Sequence, residues 1–417
     1  MCLGRYWDAP QGPVVLQTDK TGVVKPHSPT LPDRTLIKVS NSLVPGNKPL
    51  DIGYDYSFVN LCAQGRNWSL PLLARHIPLD KRLTTVAGEQ ARALLCNNQL
   101  PFQQMELVVN TLDTAYASPY YLEEAKLIPN LVSVIRLRNS TKVYQKPTPQ
   151  ELKKSRGLRQ FGKRYYLIEQ SGYKHYKKHP KTKRLYEVWQ EAIFDKPAEQ
   201  PPPFEEQLRN GRRIMVRLRG WEDMLMRTKD GITMADKPFT LVSVQAFDVQ
   251  DGRPLFKRPM FLAAFGDKRR QLSCRQIYEC YTQRYGIETF FRFGKRNLLL
   301  DKFQPPDARH LHNWMYILIL AAWLLYTARQ DIVSRPKKWQ QYCLAEKKAL
   351  QAQCLSMAQV HKAIEPYLLT FDTAPFFPQK SKPGPGRQQG QTQTLRKRYP
   401  YVKKSTQKPF QPKAQPP

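Results

Sequence analysis

Two apolar segments that each lead to an aspartate constrain the fold of this chain most. Residues 14–16 form an apolar run that leads to Asp19 three residues later, and such a run is typical of a buried strand. Residues 105–109 predict a second strand, which ends near Asp113. The stretch between them contains residues 84–99, which are helical in composition with alanine and leucine on one face. This alternation of strands and helices indicates an α/β layer architecture.

The charge balance points to a polyanionic partner. Lysine and arginine together number 67 against 34 acidic residues, which gives a formal net charge of +33. Such an excess favours nucleic acid over membrane as the partner. The seven cysteines include no CxxC pair, which excludes a secreted disulfide scaffold. The longest apolar run, residues 314–326, is shorter than a membrane span and predicts a buried helix. We therefore expect no membrane association and a cytoplasmic, nucleoid-associated protein.

The middle of the chain differs from its beginning in composition. Residues 136–184 contain 16 basic and two acidic residues, with tyrosines interleaved. Strand patterns return at 213–218, 239–247 and 255–265. We therefore expect a β-rich, basic insertion over residues 138–270.

One helix carries the most informative group of polar side chains. Residues 272–294 predict a single helix, and Tyr281, Arg284, Glu288 and Lys295 follow one another at spacings that share a face. At 100° per residue, the four lie within about 60° of arc. A carboxylate between cations suits a metal ion and phosphates. For any single pair, an ordinary ion pair on a solvated helix face is the more frequent arrangement.

The ordered set is more specific than its pairs. Tyr281-x2-Arg284-x3-Glu288-x6-Lys295 resembles the signature of the Tyr-Arg-Glu-Lys group of DDE transposases from bacterial insertion sequences, which belong to the DDE endonuclease superfamily. The segment Asn110-Thr-Leu-Asp113-Thr-Ala-Tyr116 is similar to that group's second-aspartate segment. Leu16-Gln-Thr-Asp19-Lys-Thr21 is similar to its first, although the lysine after the aspartate departs from the small residue usual there. The resemblance covers residues 14–404.

The resemblance implies an architecture for the whole chain. It predicts an RNase H-like α/β catalytic domain that is interrupted by the β-rich insertion and followed by a basic, disordered C-terminal tail. The expected divisions are the first part of the catalytic domain at 1–137, the insertion at 138–270, the second part with the Glu288 helix at 271–335, a helical region at 336–373 and the tail at 374–417. The interval from Asp113 to Glu288 is long enough to contain the insertion.

The resemblance also implies the chemistry. Asp19, Asp113 and Glu288 would be the catalytic residues and would hold two Mg²⁺ ions, with Mn²⁺ as a substitute. Two such ions stabilise the attacking and leaving oxygens of an in-line displacement at phosphorus. Water would free a 3′-hydroxyl at the end of the element, and that hydroxyl would attack target DNA. Members of the group act as homodimers in a synaptic complex, so DNA and a second copy of the chain are the expected partners.

The first metal ligand has competitors. Asp8, Asp51 and Asp55 are alternatives to Asp19. Asp19 is preferred because burying a carboxylate beside an apolar strand costs free energy unless the carboxylate binds a partner such as a metal ion. A turn aspartate after a strand is the common structural alternative.

Several residues are expected to contact DNA. By the resemblance, Tyr281, Arg284 and Lys295 would contact the DNA backbone near the cut, and Arg292 and Lys142 are weaker candidates for phosphate contacts. Aromatic residues of the insertion, Trp189 and Trp221, are candidates for stabilising a cut end, with a core position as the more frequent role of tryptophan.

Two further functions stay open. Only 18 residues precede Asp19, which is less than the N-terminal DNA-binding region that the group usually carries. A late start, a truncated gene or end recognition by another segment would each explain this. A decayed or repurposed transposase that only binds DNA, or a metal-dependent nuclease without strand transfer, is therefore the alternative to an active transposase.

Overall fold

The structure is a computed structural model that describes most of the chain. The described residues are 12–38, 50–63, 68–97, 100–153, 159–167, 175–180, 182–188, 197–208, 211–227, 232–256, 258–334, 355–370, 390 and 396–402. Asp8, Trp189 and most of the residues after 370 lie outside these ranges, so the predictions made for them are not tested by the structure.

Strands and helices alternate in the first part of the chain, as predicted, and strands dominate its middle. The strands are β1 Val14–Val24, β2 Thr35–Lys38, β3 Leu50–Ala63, β4 Trp68–His76, β5 Val108–Leu112, β6 Leu131–Leu137, β7 Lys142–Tyr144, β8 Arg164–Tyr166, β9 His175–Lys178, β10 Leu185–Val188, β11 Phe204–Gln207, β12 Arg213–Met226, β13 Phe239–Asp248 and β14 Met260–Phe265. The helices are α1 Leu83–Leu95, α2 Pro119–Ala125, α3 Pro149–Lys153, α4 Cys274–Thr282, α5 Tyr285–Asn297, α6 Ala308–Ser334 and α7 Met357–Thr370.

A mixed sheet of 12 strands organises the fold. Its order is β2-β3-β1-β5-β6-β14-β13-β12-β7-β8, with β4 paired to β3 and β11 paired to β12. β5 pairs in parallel with both β1 and β6, whereas the other neighbours are antiparallel. Helices α1 and α2 provide the crossover connections that parallel pairs need. The predicted α/β class is therefore confirmed.

The strands of the expected insertion join this same sheet. β14 pairs with β6, and β13 and β12 continue outward from it. The described part of residues 138–270 contains several strands, most of which extend the main sheet, whereas β9 and β10 form a separate two-stranded sheet. The boundaries of an insertion domain stay a prediction.

Both faces of the sheet are covered by apolar side chains. On one face, Leu16 and Ile135 belong to a core that includes the buried sides of α1 and α2. On the other face, Val15 and Val109 pack in a cluster with Ile277 of α4. This two-sided burial follows from the near-continuous apolar character of β1, β5 and β6, which is typical of strands with parallel neighbours.

Three elements differ from the sequence-based expectation. β1 does not end at Asp19 but continues to Val24, so this aspartate lies inside a strand. β4 was not predicted, because Pro71 interrupts its strand pattern; the proline sits at a register irregularity opposite β3. The expected single helix over 272–294 is two helices, α4 and α5, separated by Gln283 and Arg284.

The apolar helix α6 is longer than its apolar run. By length and composition alone it could cross a membrane, and 33% of its most apolar window is buried inside the protein. Leu318 and Ala322 are in the core, and the Trp323 indole donates to the Pro71 carbonyl over 2.9 Å. Ile317 and Leu324 are exposed, so the predicted buried helix is buried on one side only.

The C-terminal part contains both predicted and unexpected structure. Helix α7 lies within the range 336–373, for which a helical region stays a prediction. Within the basic tail, Val402 forms a parallel bridge with Thr35 of β2, so residues 396–402 depart from the expected disorder.

Candidate active site

The two predicted aspartates lie side by side at neighbouring parallel strands. Thr18 of β1 is paired with Leu112 of β5, so the next residues, Asp19 and Asp113, are at the same level. Asp113 directly follows β5 and precedes a short 3₁₀ turn. Because strand side chains alternate between faces, both aspartates lie on the face that is covered by α4. The parallel pairing of β1 and β5 thus brings together two acids that are far apart in sequence.

The break between α4 and α5 places the third acid beside them. Arg284 at the break donates through Nη2 to Asp19 Oδ2 over 2.7 Å and through Nη1 to Glu288 Oε1 over 2.8 Å. The Arg284 side chain is 9% exposed, whereas that of Glu288 is 43% exposed. One buried guanidinium therefore links the first and third predicted acids.

The electrostatics of this group show that its charges are close together. Burial raises the pKa of the Asp19 carboxyl, Arg284 and the Lys20 N–H lower it, and Asp113 and Glu288 raise it. The pKa of Arg284 is raised: burial acts to lower it, but the surrounding acids, Asp19 first, outweigh that effect. Three acids thus share a partly buried site, in which Arg284 bonds directly to two of them, and this arrangement favours additional positive charge.

A buried polar chain fixes the helix break to β1. Asn60 Nδ2 donates to Ser69 Oγ over 2.9 Å, and Ser69 Oγ donates to Gln17 Oε1 over 2.5 Å. Gln17 Nε2 in turn donates to the carbonyl of Gln283 over 2.6 Å. Gln17 is two residues before Asp19 on the same face, so this chain ties the helix break to the strand that carries the first acid.

The approach of the break to the sheet is close enough to require glycine. A Cβ at position 286 would lie 2.8 Å from Gln17 Nε2 and 3.2 Å from Ser69 Cβ. At the break, the N–H groups of Gln283 and Arg284 bond to carbonyls three residues back, Cys280 and Tyr281, as in a 3₁₀ turn. The tightened turn at positions 283 and 284 explains why one predicted helix became two.

The remaining predicted DNA contacts are not all on one surface. Tyr281 is 4% exposed, and burial raises its pKa to about 12, with Arg284 and Arg136 acting in the opposite direction. Lys295 is half-buried, and burial lowers its pKa against the opposing charges of Asp301 and Asp55. The helix break therefore separates residues that were expected to share one stripe.

Two predicted contacts are accessible. Arg292 is exposed on α5, one turn beyond Glu288. Lys142 is exposed on β7, with its Nζ 5.2 Å from the centre of the Tyr166 ring, and Arg164 lies 5.3 Å from the same ring. The roles of all these residues in DNA binding stay predictions.

The competing acids that the structure describes are occupied elsewhere on the sheet. Asp55 of β3 pairs with Lys20 over 3.1 Å, and Asp51 is fully buried and accepts the N–H of Ile52. Asp113 and Glu288, in contrast, are among the charges that act on the pKa of Asp19. Asp19 is thus the best-placed first acid among those described.

One site residue was missed in the sequence. Arg136 of β6 follows Ile135, which pairs with Leu112, so Arg136 lies level with Asp113 on the adjacent strand. Its charge also acts on Tyr281 across the site. A single exposed arginine in the otherwise buried strand β6 was the available signal.

The donor set fits a hard divalent cation, although Arg284 now stands between its members. Carboxylate oxygens are the ligands that Mg²⁺ and Mn²⁺ prefer. Among the described residues, no three His, Cys, Asp or Glu side chains are already gathered as a metal site. The acids would therefore close around a cation only after the guanidinium moved.

Comparison with protein families assigns more than half of the chain to one family. The family model described as transposase DDE domain matches residues 73–324. The chain belongs to the DDE transposase domain family. The matched region contains Asp113 and Glu288, while Asp19 precedes it. A search of curated proteins found no match.

Membership establishes the function of this DDE transposase domain protein in general terms. Members are transposases, enzymes of DNA transposition and recombination that act on DNA and generally use divalent metal ions. The mixed α/β sheet agrees with the RNase H-like domain expected for the family.

Proposed function

We propose that this chain is the transposase of a bacterial insertion sequence of the Tyr-Arg-Glu-Lys group, and that it cleaves DNA and transfers the strands. The observation that carries the proposal is the link that Arg284 makes between Asp19 and Glu288, beside Asp113. Arg284 and Glu288 of the signature are thereby joined to Asp19 of β1.

Asp19, Asp113 and Glu288 would hold two Mg²⁺ ions, or Mn²⁺ in their place. Such ions, when bound, stabilise the charge on the attacking and leaving oxygens of a phosphodiester. Hydrogen bonds within the protein orient this site. The Lys20 N–H donates to Asp19 Oδ1 over 2.8 Å, and Gln17 donates to the Gln283 carbonyl at the helix break. Both catalytic steps, hydrolysis and attack by a 3′-hydroxyl, would use the same acids.

Arg284 would change partners during this reaction. In the free protein its guanidinium neutralises Asp19 and Glu288. A DNA phosphate is an equivalent bidentate partner for a guanidinium. Arg284 would therefore pair with the DNA backbone once the acids are neutralised by other cations, and Arg136, Lys295 and the exposed Arg292 would add positive charge nearby.

The expected setting follows from the substrate. The ends of the element and the target DNA would be held in a synaptic complex with a second copy of the chain. The net charge of +33 supports binding to DNA at the nucleoid in the cytoplasm.

The decisive experiment measures cleavage and strand transfer with Mg²⁺ or Mn²⁺ on DNA that carries the ends flanking the gene. Glu288→Gln should abolish both reactions and keep DNA binding. Glu279→Gln is the matched control, because this glutamate lies on α4 in an exposed ion pair with Arg275. Cleavage by the Glu288→Gln protein would refute the assignment of the acids.

Two other outcomes would identify the alternatives. Cleavage without joined products would indicate a nuclease, and DNA binding without cleavage by the unmodified chain would indicate a decayed transposase.

A further inference from the structure

The C-terminal residues 396–402, called here the C-terminal strap, are bound to the edge of the sheet. The N–H of Tyr399 donates to the Pro29 carbonyl over 2.8 Å, and the N–H of Val402 donates to the Arg34 carbonyl over 2.6 Å. Val402 also bridges Thr35 of β2. A segment that its composition predicts to be disordered is thus held by backbone hydrogen bonds at its middle and at its C-terminal end.

A buried arginine, Arg34, bonds to the strap through its side chain. Arg34 is 5% exposed and donates to the carbonyls of Lys25, Pro26 and Tyr399 over 3.1, 3.3 and 2.9 Å. One guanidinium therefore joins the end of β1, the following loop and the strap.

The loop beneath the strap is itself joined to the segment that follows α5. Ser28 Oγ donates to Gln304 Oε1 over 3.2 Å, and Thr30 Oγ1 donates to the Pro306 carbonyl over 2.6 Å. Gln304 also donates to the carbonyl of Val24, the last residue of β1, over 3.2 Å. The strap, this loop and the exit from the Glu288 helix thus form one connected surface.

Exposed basic side chains lie on the elements that these hydrogen bonds join, beginning on the helix of Glu288. Arg292 and Arg296 are exposed at four-residue intervals after Glu288, and four residues on one helix face are about 6 Å apart along the axis. The remaining members are Lys302 and, on the strap, Arg396, Lys397 and Arg398, all exposed. We call these six residues the basic track.

We propose that the basic track binds the phosphate backbone of duplex DNA that flanks the cut bond. The strap lies about 20 Å from Asp19, because β1 continues five residues beyond Asp19 at ~3.3 Å each and β2 is two strands away at ~4.8 Å each. At ~3.4 Å per base pair, this distance corresponds to about six base pairs. Placing the cut bond at Asp19, Asp113 and Glu288 rests on the proposed function, whereas the DNA binding of the track does not.

Removal of the strap charges tests the proposal in the full chain. Arg396, Lys397 and Arg398 are changed together to Gln, and the matched control changes Lys380, Lys382 and Arg387, three other basic residues of the same C-terminal stretch, to Gln. Salt-dependent binding and hydroxyl-radical footprints are measured on duplex DNA carrying the ends that flank the gene. The strap variant should lose up to about three units of the log–log salt slope and the protection about six base pairs from the cut position. The control should keep that protection.

A second variant separates the position of the strap from its charge. Val402→Pro removes the N–H that donates to the Arg34 carbonyl and leaves the net charge unchanged. It should lose the same distant protection. If both strap variants keep the full footprint, the strap does not bind DNA and the six-residue track is refuted as proposed.

The outcome is distinguishable from a failure of the proposed function. Cleavage that depends on Glu288, combined with an unchanged footprint in the strap variants, would refute the track alone. A footprint that shortens in a chain without cleavage activity would support the track alone.

Discussion

The guanidinium of Arg284 lies 2.7 Å from the carboxylate of Asp19, a residue 265 positions earlier in the chain. The same side chain donates to Glu288, one turn along α5. The site thus holds a cation of its own between two acids that are expected to hold metal ions. Any cation that binds these acids competes with a covalently attached one.

Replacement of Arg284 by Gln should therefore separate metal binding from stability. Loss of the guanidinium leaves the largely buried Asp19 carboxylate unpaired, which should lower the free energy of unfolding by about 1–3 kcal/mol without metal. Mn²⁺ should bind this variant more tightly than the unmodified protein when DNA is absent. Calorimetric titration with Mn²⁺ and thermal unfolding check the two effects. Arg275→Gln, which breaks an exposed pair with Glu279, should change neither, and equal Mn²⁺ affinity in all three proteins would contradict the competition.

Gln17 should act as a positioning residue for Arg284 and Glu288. Gln17→Leu removes the hydrogen bond to the Gln283 carbonyl and should reduce the cleavage rate about 10- to 100-fold, as loss of a supporting hydrogen bond does in metal sites. Its affinity for DNA should stay unchanged.

Gln90→Leu is the control for this change. Gln90 is also fully buried and donates to a carbonyl over 3.0 Å, but it lies on α1 and its acceptor is Ser57 of β3 instead of the helix break. Both variants should lose stability, whereas only Gln17→Leu should lose activity beyond what its stability explains. Equal activities at a temperature where both are folded would assign Gln17 a purely structural role.

Two glycines of α5 should respond oppositely to alanine. Gly286→Ala places a Cβ 2.8 Å from Gln17 Nε2 and should cost about 1–3 kcal/mol of unfolding free energy through overpacking. Gly294→Ala places a Cβ 3.5 Å from Leu300, an ordinary contact, and should gain about 0.5–1 kcal/mol from helix propensity. Chemical denaturation of both variants measures the difference. A stabilised Gly286→Ala protein would show that the helix break does not need its close approach to β1.

Lys25 should make stability depend on pH in the alkaline range. Burial lowers the pKa of this fully buried lysine to about 8, while Asp301 acts to raise it. The pKa of this lysine is therefore higher in the unfolded chain than in the folded one. Between a pH of about 8 and the ordinary lysine pKa of 10.5 only the unfolded chain keeps the proton, so the folded state gains stability as the pH rises. Lys25→Met should remove this gain, of the order of 2–3 kcal/mol. Unfolding measured at pH 7.5 and 10 in both proteins tests it, and parallel pH profiles would count against a buried, titrating lysine.

The candidate site that the structure brings together contains residues that a local sequence pattern had indicated. The position of Asp113 after an apolar strand could be recognised from a few neighbouring residues. The same holds for the order of Arg284 and Glu288. The break at Gln283 could not be recognised, because the apolar period of the helix continues through it and its anchor, Gln17, is far away in the chain. The strap was missed for a similar reason: its charges predict disorder, while its partner Arg34 is 365 positions from Tyr399.

The continuity of the sheet has a consequence for shortening this protein. β6 has β5 on one side and β14 on the other, and almost all of its residues are buried. Deleting residues 138–270 to obtain a smaller enzyme would strip β6 of that second neighbour and leave a row of open N–H and C=O groups flanked by apolar side chains. Such an edge recruits strands from other molecules. A trimmed version should therefore self-associate, unless a replacement strand caps β6.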